Sequence, residues 1–94
     1  MQGKVHMSFI TNKLSYMRRG AYEEAKTYNG IDSPKYVRAM TKLSLYNKAS
    51  AFCEYLPEYV DYSTLNNFKI AYIASNNDEM LAIIKLILDI YQEL

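Results

Sequence analysis

Side chains that could perform catalysis are few and scattered in this chain. His6 is its only histidine and Cys53 its only cysteine, whereas general acid–base catalysis most often uses histidine. Cys53 lies in an apolar stretch, and a buried thiol is unreactive. Glu23 and Glu24 form an acidic pair within a predicted helix, but adjacent positions diverge by about 100° around a helix axis. We therefore predict that the protein is not an enzyme.

Residues that could hold a metal ion or a cofactor are not clustered in the sequence. A zinc site needs cysteine and histidine ligands, of which the chain has one each. The acids lack the spacing of a calcium-binding loop, and three glycines cannot supply a glycine-rich phosphate loop. We predict no metal and no cofactor.

Basic residues are concentrated in the first half of the chain. Residues 1–50 contain nine Lys and Arg and three acidic residues, a net charge of 9 − 3 = +6. Residues 51–94 contain two Lys and seven acidic residues, a net charge of 2 − 7 = −5. Such asymmetry indicates a basic contact surface, or else packing of the two halves of the chain against each other. This packing can occur within one molecule or between two copies. The candidate basic face consists of Arg18, Arg19, Lys35, Arg38 and Lys42. A solvated helix face and a nucleic-acid contact both remain open for it.

A segment that alternates acids with tyrosines, residues 54–62, is the candidate protein-binding surface. Its members are Glu54, Tyr55, Glu58, Tyr59, Asp61 and Tyr62. Tyrosine offers a large contact area at low entropic cost, which favours a partner-binding strip. A connecting loop around Pro57, with its rings folded back onto the helices, is the alternative.

The C-terminal stretch, residues 78–94, predicts the helix that all other elements must cover. On a wheel of about 100° per residue its apolar side chains span roughly 220°, whereas a surface helix needs an apolar stripe little wider than about 100°. Such a helix requires more than one neighbour. We therefore predict that it lies at the centre of the fold or at a homodimer interface.

Three further helices are predicted upstream, so that the fold is an all-α, antiparallel bundle of about four helices. The predicted ranges are 8–29, 34–56, 63–75 and 78–93. Ser33 is expected to cap the second helix, Asp61 or Ser63 the third and Asn77 the fourth. The second helix has two apolar stripes about 160° apart, which indicates either a break near residues 44–47 or two different partners. Gly20 within the first helix indicates a break or a close helix contact.

Residues 1–7 are predicted to be a remnant of an expression tag, which leaves a single helical domain at residues 8–94. The apolar C-terminal run is shorter than the ~20 residues that a membrane span needs, and it is interrupted by Lys85 and Asp89. A lone cysteine fits a reducing compartment. We therefore expect a cytoplasmic protein without a membrane contact.

Protein binding is the function that these features favour. Surplus apolar surface and ten tyrosines are typical of an interaction module or an oligomer. We expect a protein partner, such as a host factor inhibited by a phage or mobile-element protein, together with a homodimer. The abundance of residues with AT-rich codons suggests a low-GC bacterium or its phage. A small nucleic-acid-binding regulator that uses the basic face is the alternative, and a helical bundle of the bacteriocin-immunity type is a further one.

Overall fold

The protein is a four-helix bundle with a short two-stranded ribbon at one end. The computed structural model describes residues 3–31 and 33–94, without the side chain at position 33. Its elements in chain order are β1 (Val5–His6), α1 (Met7–Tyr28), α2 (Ser33–Cys53), β2 (Tyr59–Val60), α3 (Tyr62–Ala74) and α4 (Asp78–Glu93). The predicted all-α bundle is confirmed. The predicted cap at Ser33 involves a side chain outside the described residues.

The C-terminal helix α4 is central, as its wide apolar arc predicts. It packs against α1, α2 and α3. Its buried side chains are Ile83, Ile84, Ile87, Leu88, Ile90 and Tyr91. At about 100° per residue these positions cover an arc of roughly 160°, which one neighbouring helix cannot bury. The main core forms around this arc.

Asparagine and aspartate side chains define where the last two helices begin. The Asp61 carboxylate accepts a hydrogen bond from the backbone N–H of Thr64 at 2.9 Å and caps α3. The Asn77 amide oxygen accepts one from the N–H of Met80 at 3.2 Å and caps α4. Both caps satisfy backbone donors that have no partner within a helix. Asn76 turns the chain between the two helices with a positive φ of 56°.

Helix α2 is continuous through residues 44–47, so of the two alternatives for its apolar stripes the break does not occur. Its two apolar stripes have different neighbours, because Ala39 is buried outside the main core whereas Ala49 and Cys53 belong to that core. The helix ends at Cys53, three residues before the predicted end at Leu56. The N–H groups of residues 54–56 bond to the carbonyls three positions earlier, a tighter turn that commonly closes a helix.

Three aromatic rings join α2 to α3. Phe52 of α2 meets Phe68 of α3 edge to face at 5.6 Å and Tyr72 at 6.4 Å between ring centroids. Phe68 and Tyr72 stack on one another at 6.1 Å. Such separations are typical of attractive aromatic pairs. The strand-like alternation of Phe68, Ile70 and Tyr72 therefore belongs to a helix, as predicted.

Residues 3–7 take part in the fold, although the sequence-based domain boundary excluded them. Val5 and His6 pair with Val60 and Tyr59 in an antiparallel ribbon. Met7 is the buried first residue of α1. Tyr91 of α4 donates a hydrogen bond from its hydroxyl to the carbonyl of Gly3 at 2.8 Å. The folded unit thus begins before residue 8, and the tag origin of residues 1–7 stays a prediction.

Helices α1 and α2 extend beyond the rest of the bundle. They contain 22 and 21 residues, whereas α3 and α4 contain 13 and 16, so at 1.5 Å per residue they are about 8–14 Å longer. We call residues 18–28 of α1 and 33–43 of α2 the arm. Ala21, Ala25 and Ala39 are buried there outside the main core cluster, and small side chains allow the two helices to approach closely. The molecule is correspondingly elongated, 43 × 28 × 22 Å.

Candidate binding surfaces

An open apolar groove lies where α2 passes the beginning of α4. It has a volume of about 570 Å³. Its lining residues are Tyr36, Val37, Met40, Thr41, Ser44, Leu45 and Lys48 of α2 and Glu79, Ala82 and Ile83 of α4. We call it the α2–α4 groove. From residue 36 to residue 48 it follows α2 for about 18 Å, which is just over three turns of a helix.

The groove combines exposed apolar side chains with small ones. Val37 is 57% exposed and Met40 is 41% exposed, while Thr41, Ser44 and Ala82 are too small to fill the space between the helices. Lys48 and Glu79 form an ion pair across the groove at 3.1 Å. The sequence indicated Met40 only as part of a core stripe, and it did not indicate Val37. Both residues belong to the arm and are only partly covered beside the beginning of α4.

A second, more polar cleft lies between α1 and α2 and has a volume of about 390 Å³. We call it the arginine cleft. Its lining residues are Ser15, Arg18, Arg19, Tyr22, Leu43 and Asn47. Among the described residues, every ion pair involves a lysine or His6, and no carboxylate lies within 4.0 Å of either arginine. Within the described part of the chain, the two arginines of the cleft therefore have no carboxylate as an ion-pair partner.

The five residues of the predicted basic face do not form one surface. Arg18 and Arg19 share the arginine cleft. Lys42 instead binds the carboxylate of Glu24 at 3.0 and 3.1 Å. Positions 42 and 47 of α2 diverge by about 140° around the helix axis, so Lys42 points away from the cleft. Lys35 lies 4.9 Å from the centroid of the Tyr28 ring, a cation–π distance. Arg38 is exposed.

The segment of acids and tyrosines divides into outward and inward members. Tyr55 is 84% exposed and Tyr59 is 54% exposed, and Glu54 and Glu58 are exposed beside them. We call these four residues the acid–tyrosine strip. The Glu58 carboxylate accepts a hydrogen bond from Nε2 of His6 at 3.1 Å, with its side chain still 74% exposed. The Tyr59 ring meets the His6 ring edge to face at 5.0 Å.

The other two predicted members of the segment contribute to the packing and capping of the chain itself. Tyr62 is half-buried against the core cluster. Asp61 caps α3, and the hydrogen bond from the Thr64 backbone, with a further one from the Thr64 hydroxyl, lowers the pKa of its carboxyl group. The ring of Tyr62 is thus folded back onto the helices, whereas Glu54, Tyr55, Glu58 and Tyr59 are exposed and remain the candidate binding strip.

The chain's thiol is unsuited to act as a nucleophile. Cys53 is buried in the core cluster, and desolvation by burial raises the pKa of its thiol to about 11. The thiolate is the reactive form of cysteine, and it is scarce at neutral pH under these conditions. Within residues 3–31 and 33–94, no three His, Cys, Asp or Glu side chains converge as a metal site would require.

Two further observations bear on the class of protein. Over the described residues, none of the helices combines the length and apolar character needed to cross a bilayer. Comparisons of the chain with protein-family models, with curated proteins and with solved structures found no match.

Proposed function

We propose that the chain is a non-catalytic protein-binding module, and that its α2–α4 groove receives an amphipathic helix of a partner protein. The observation that carries this proposal is the exposure of Val37 and Met40 along an open groove between two helices. Amphipathic helices commonly bind such grooves through apolar side chains spaced three, four and seven residues apart. The length of the groove suits three turns of such a helix.

The groove's own side chains supply a useful part of the binding free energy. Complete burial of a valine or methionine side chain contributes about 1.5–3 kcal/mol. Roughly half of each of the two side chains is exposed, so covering both contributes about 2 kcal/mol, or around thirtyfold in affinity. The partner's apolar side chains add to this on their side. A partner helix held in the groove is unavailable for its other interactions, so the proposed activity is inhibition by occupancy.

Charged substitutions in the groove test this proposal. Val37→Glu combined with Met40→Glu places two carboxylates against the apolar side chains of a bound helix. The matched control is Ile70→Glu with Ile73→Glu on α3, where two aliphatic side chains are also more than half exposed and lie outside the groove. The immobilised wild-type and variant proteins are incubated with lysate of the source cells, and the captured proteins are quantified.

We expect at least one protein to be retained by the wild-type and the α3 control and lost from the groove variant. Circular dichroism establishes that all three are equally helical. A chemical crosslink from that protein to residues 36–48 then identifies the contact. Equal capture by all three proteins, or crosslinks that fall elsewhere on the chain, would refute the groove as the binding surface.

A further inference from the structure

We propose that two copies of this chain associate side by side and antiparallel, with the arginine cleft of each copy against the acid–tyrosine strip of the other. This inference goes beyond the proposed function, because it concerns different surfaces from the α2–α4 groove. The partner is a second copy, and the interaction is one of opposite charge supplemented by aromatic contact.

Charge complementarity is the first argument for this partner. The arginine cleft contains Arg18 and Arg19, whereas the acid–tyrosine strip contains Glu54 and Glu58, so the two surfaces have opposite formal charges of +2 and −2. Within the described chain, Arg18 and Arg19 have no carboxylate within ion-pair distance. Glu54 is exposed and has no ion pair there either. The carboxylates of the strip in one copy can therefore pair with the arginines of the cleft in the other.

The side-chain types of the two surfaces are the second argument. Arginine and tyrosine are enriched at protein interfaces, and a guanidinium group both binds a carboxylate in two places and stacks on an aromatic ring. The cleft contains two arginines and Tyr22, which is half exposed. The strip offers two carboxylates together with Tyr55 and Tyr59. Tyr16, 70% exposed, lies about 60° from Arg19 around α1 and adds apolar area beside the cleft.

The spacing of the two surfaces along α1 is the third argument. The strip adjoins the beginning of α1, because the N–H of Met7 donates to the carbonyl of Glu58 at 2.7 Å. Arg18 lies eleven residues farther along α1, about 17 Å at 1.5 Å per residue. A twofold axis perpendicular to α1, halfway between these points, brings the cleft of each copy to the same level along that helix as the strip of the other. A twofold interface makes every contact twice, so a modest contact suffices.

A nucleic acid suits these surfaces less well than a second copy does. The phosphate backbone attracts the cleft, but it is repelled by the acidic half of the chain, and the net charge is only +1. The second copy satisfies the cleft and the strip together. Single-stranded nucleic acid, which also combines phosphates with stacking bases, is therefore the competing occupant that the experiment includes.

Exchange of charges between copies tests the proposal. One variant carries Arg18→Glu and Arg19→Glu, and the other carries Glu54→Lys and Glu58→Lys. The control carries Lys69→Glu and Lys85→Glu, which changes the net charge as the first variant does on helices that contribute nothing to either surface. Analytical ultracentrifugation at low ionic strength measures the mass over about a hundredfold range of concentration.

The wild-type protein and the control are expected to reach twice the 10.9 kDa mass of one chain. Each variant alone raises the dimer dissociation constant by roughly a hundredfold, since like charges then face one another. An equimolar mixture of the two variants restores the doubled mass, because each cleft again meets a strip of opposite charge. That restoration requires both variants to be folded, so it also controls for misfolding.

A wild-type protein that remains at the mass of one chain throughout would overturn the proposal, and so would a mixture that stays monomeric. Binding of an oligothymidylate probe by a monomeric wild-type protein, lost in the Arg18/Arg19 variant, would replace it by nucleic-acid binding. The variant with Val37→Glu and Met40→Glu is expected to keep the wild-type mass. Loss of partner capture in that variant and loss of dimerisation in the charge variants are therefore separate results.

Discussion

Truncation of Ile87 to alanine tests the claim that α4 is the centre of the fold. Ile87 is completely buried in the middle of that helix, where its side chain belongs to the core cluster. The substitution removes three carbons, worth about 2.4 kcal/mol at ~0.8 kcal/mol per buried methylene. The cavity left behind raises the loss to roughly 3–4 kcal/mol.

Such a loss is large compared with the total stability of the domain. A chain of 94 residues is expected to have a free energy of unfolding of about 5–14 kcal/mol at ~0.05–0.15 kcal/mol per residue. For a domain of this size the expected loss lowers the melting temperature by about 12–30 °C. Urea denaturation followed by circular dichroism measures the change directly. All proteins are compared at one concentration, because the proposed self-association would stabilise the folded state.

Lys85→Ala is the matched control, since Lys85 is an exposed residue of the same helix and surface substitutions usually change stability by less than about 0.5 kcal/mol. Ile87→Ala with a free energy of unfolding as close to the wild-type value as this control would refute the reasoning. It would mean that the side chain has no core around it, and that the wide apolar arc of α4 serves another purpose.

Three further substitutions test local features. Gly20→Ala is expected to raise the free energy of unfolding by up to about 1 kcal/mol, because α1 is continuous there and a Cβ atom meets nothing within 4 Å; a loss of stability in urea would contradict this. Tyr91→Phe removes the hydrogen bond to Gly3 and is expected to cost about 1 kcal/mol, so an unchanged free energy of unfolding in urea would contradict this expectation. The fold lowers the pKa of Asp61 through its bonds from Thr64, so its carboxylate stabilises the protein above about pH 4 and this stabilisation is lost as the pH falls through the folded-state pKa. Asp61→Asn retains a capping oxygen and should lose less stability than the wild-type protein on acidification, a difference that thermal melts at several pH values can measure.

The two proposed interactions are compatible because they use different parts of the molecule. The α2–α4 groove lies on the side of α2 that faces α4, and the arginine cleft lies between α1 and α2. Asn47 of the cleft and Lys48 of the groove are adjacent in sequence and diverge by about 100° around α2. An antiparallel dimer thus presents two grooves, so a partner with two helices could bind with increased avidity.

The sequence by itself determined the helices, their approximate ends and the central position of α4. These features depend on local signals. The apolar period of α4 places Ile83, Ile87 and Ile90 on one buried face, and the capping groups of Asp61 and Asn77 act within three residues of their own position. A helix with such a wide apolar arc needs several neighbouring helices, whichever helices these are. The central position of α4 could therefore be inferred without knowing how the other helices are arranged.

Only the tertiary structure decided which side chains share a surface. The pairing of Val5 with Val60 joins positions 55 residues apart through two-residue strands, which are too short for a sequence pattern to indicate. The predicted ranges already made α1 and α2 longer than α3 and α4, but only the packing of the helices shows that Val37 and Met40 are exposed beside the beginning of α4. The predicted basic face is divided because Lys42 pairs with Glu24 across the helix pair, while Arg18 and Arg19 have no ion-pair partner among the described residues. The helical period determines the direction in which a side chain points from the axis of its helix. The residue that this side chain contacts depends on how the helices are arranged in space.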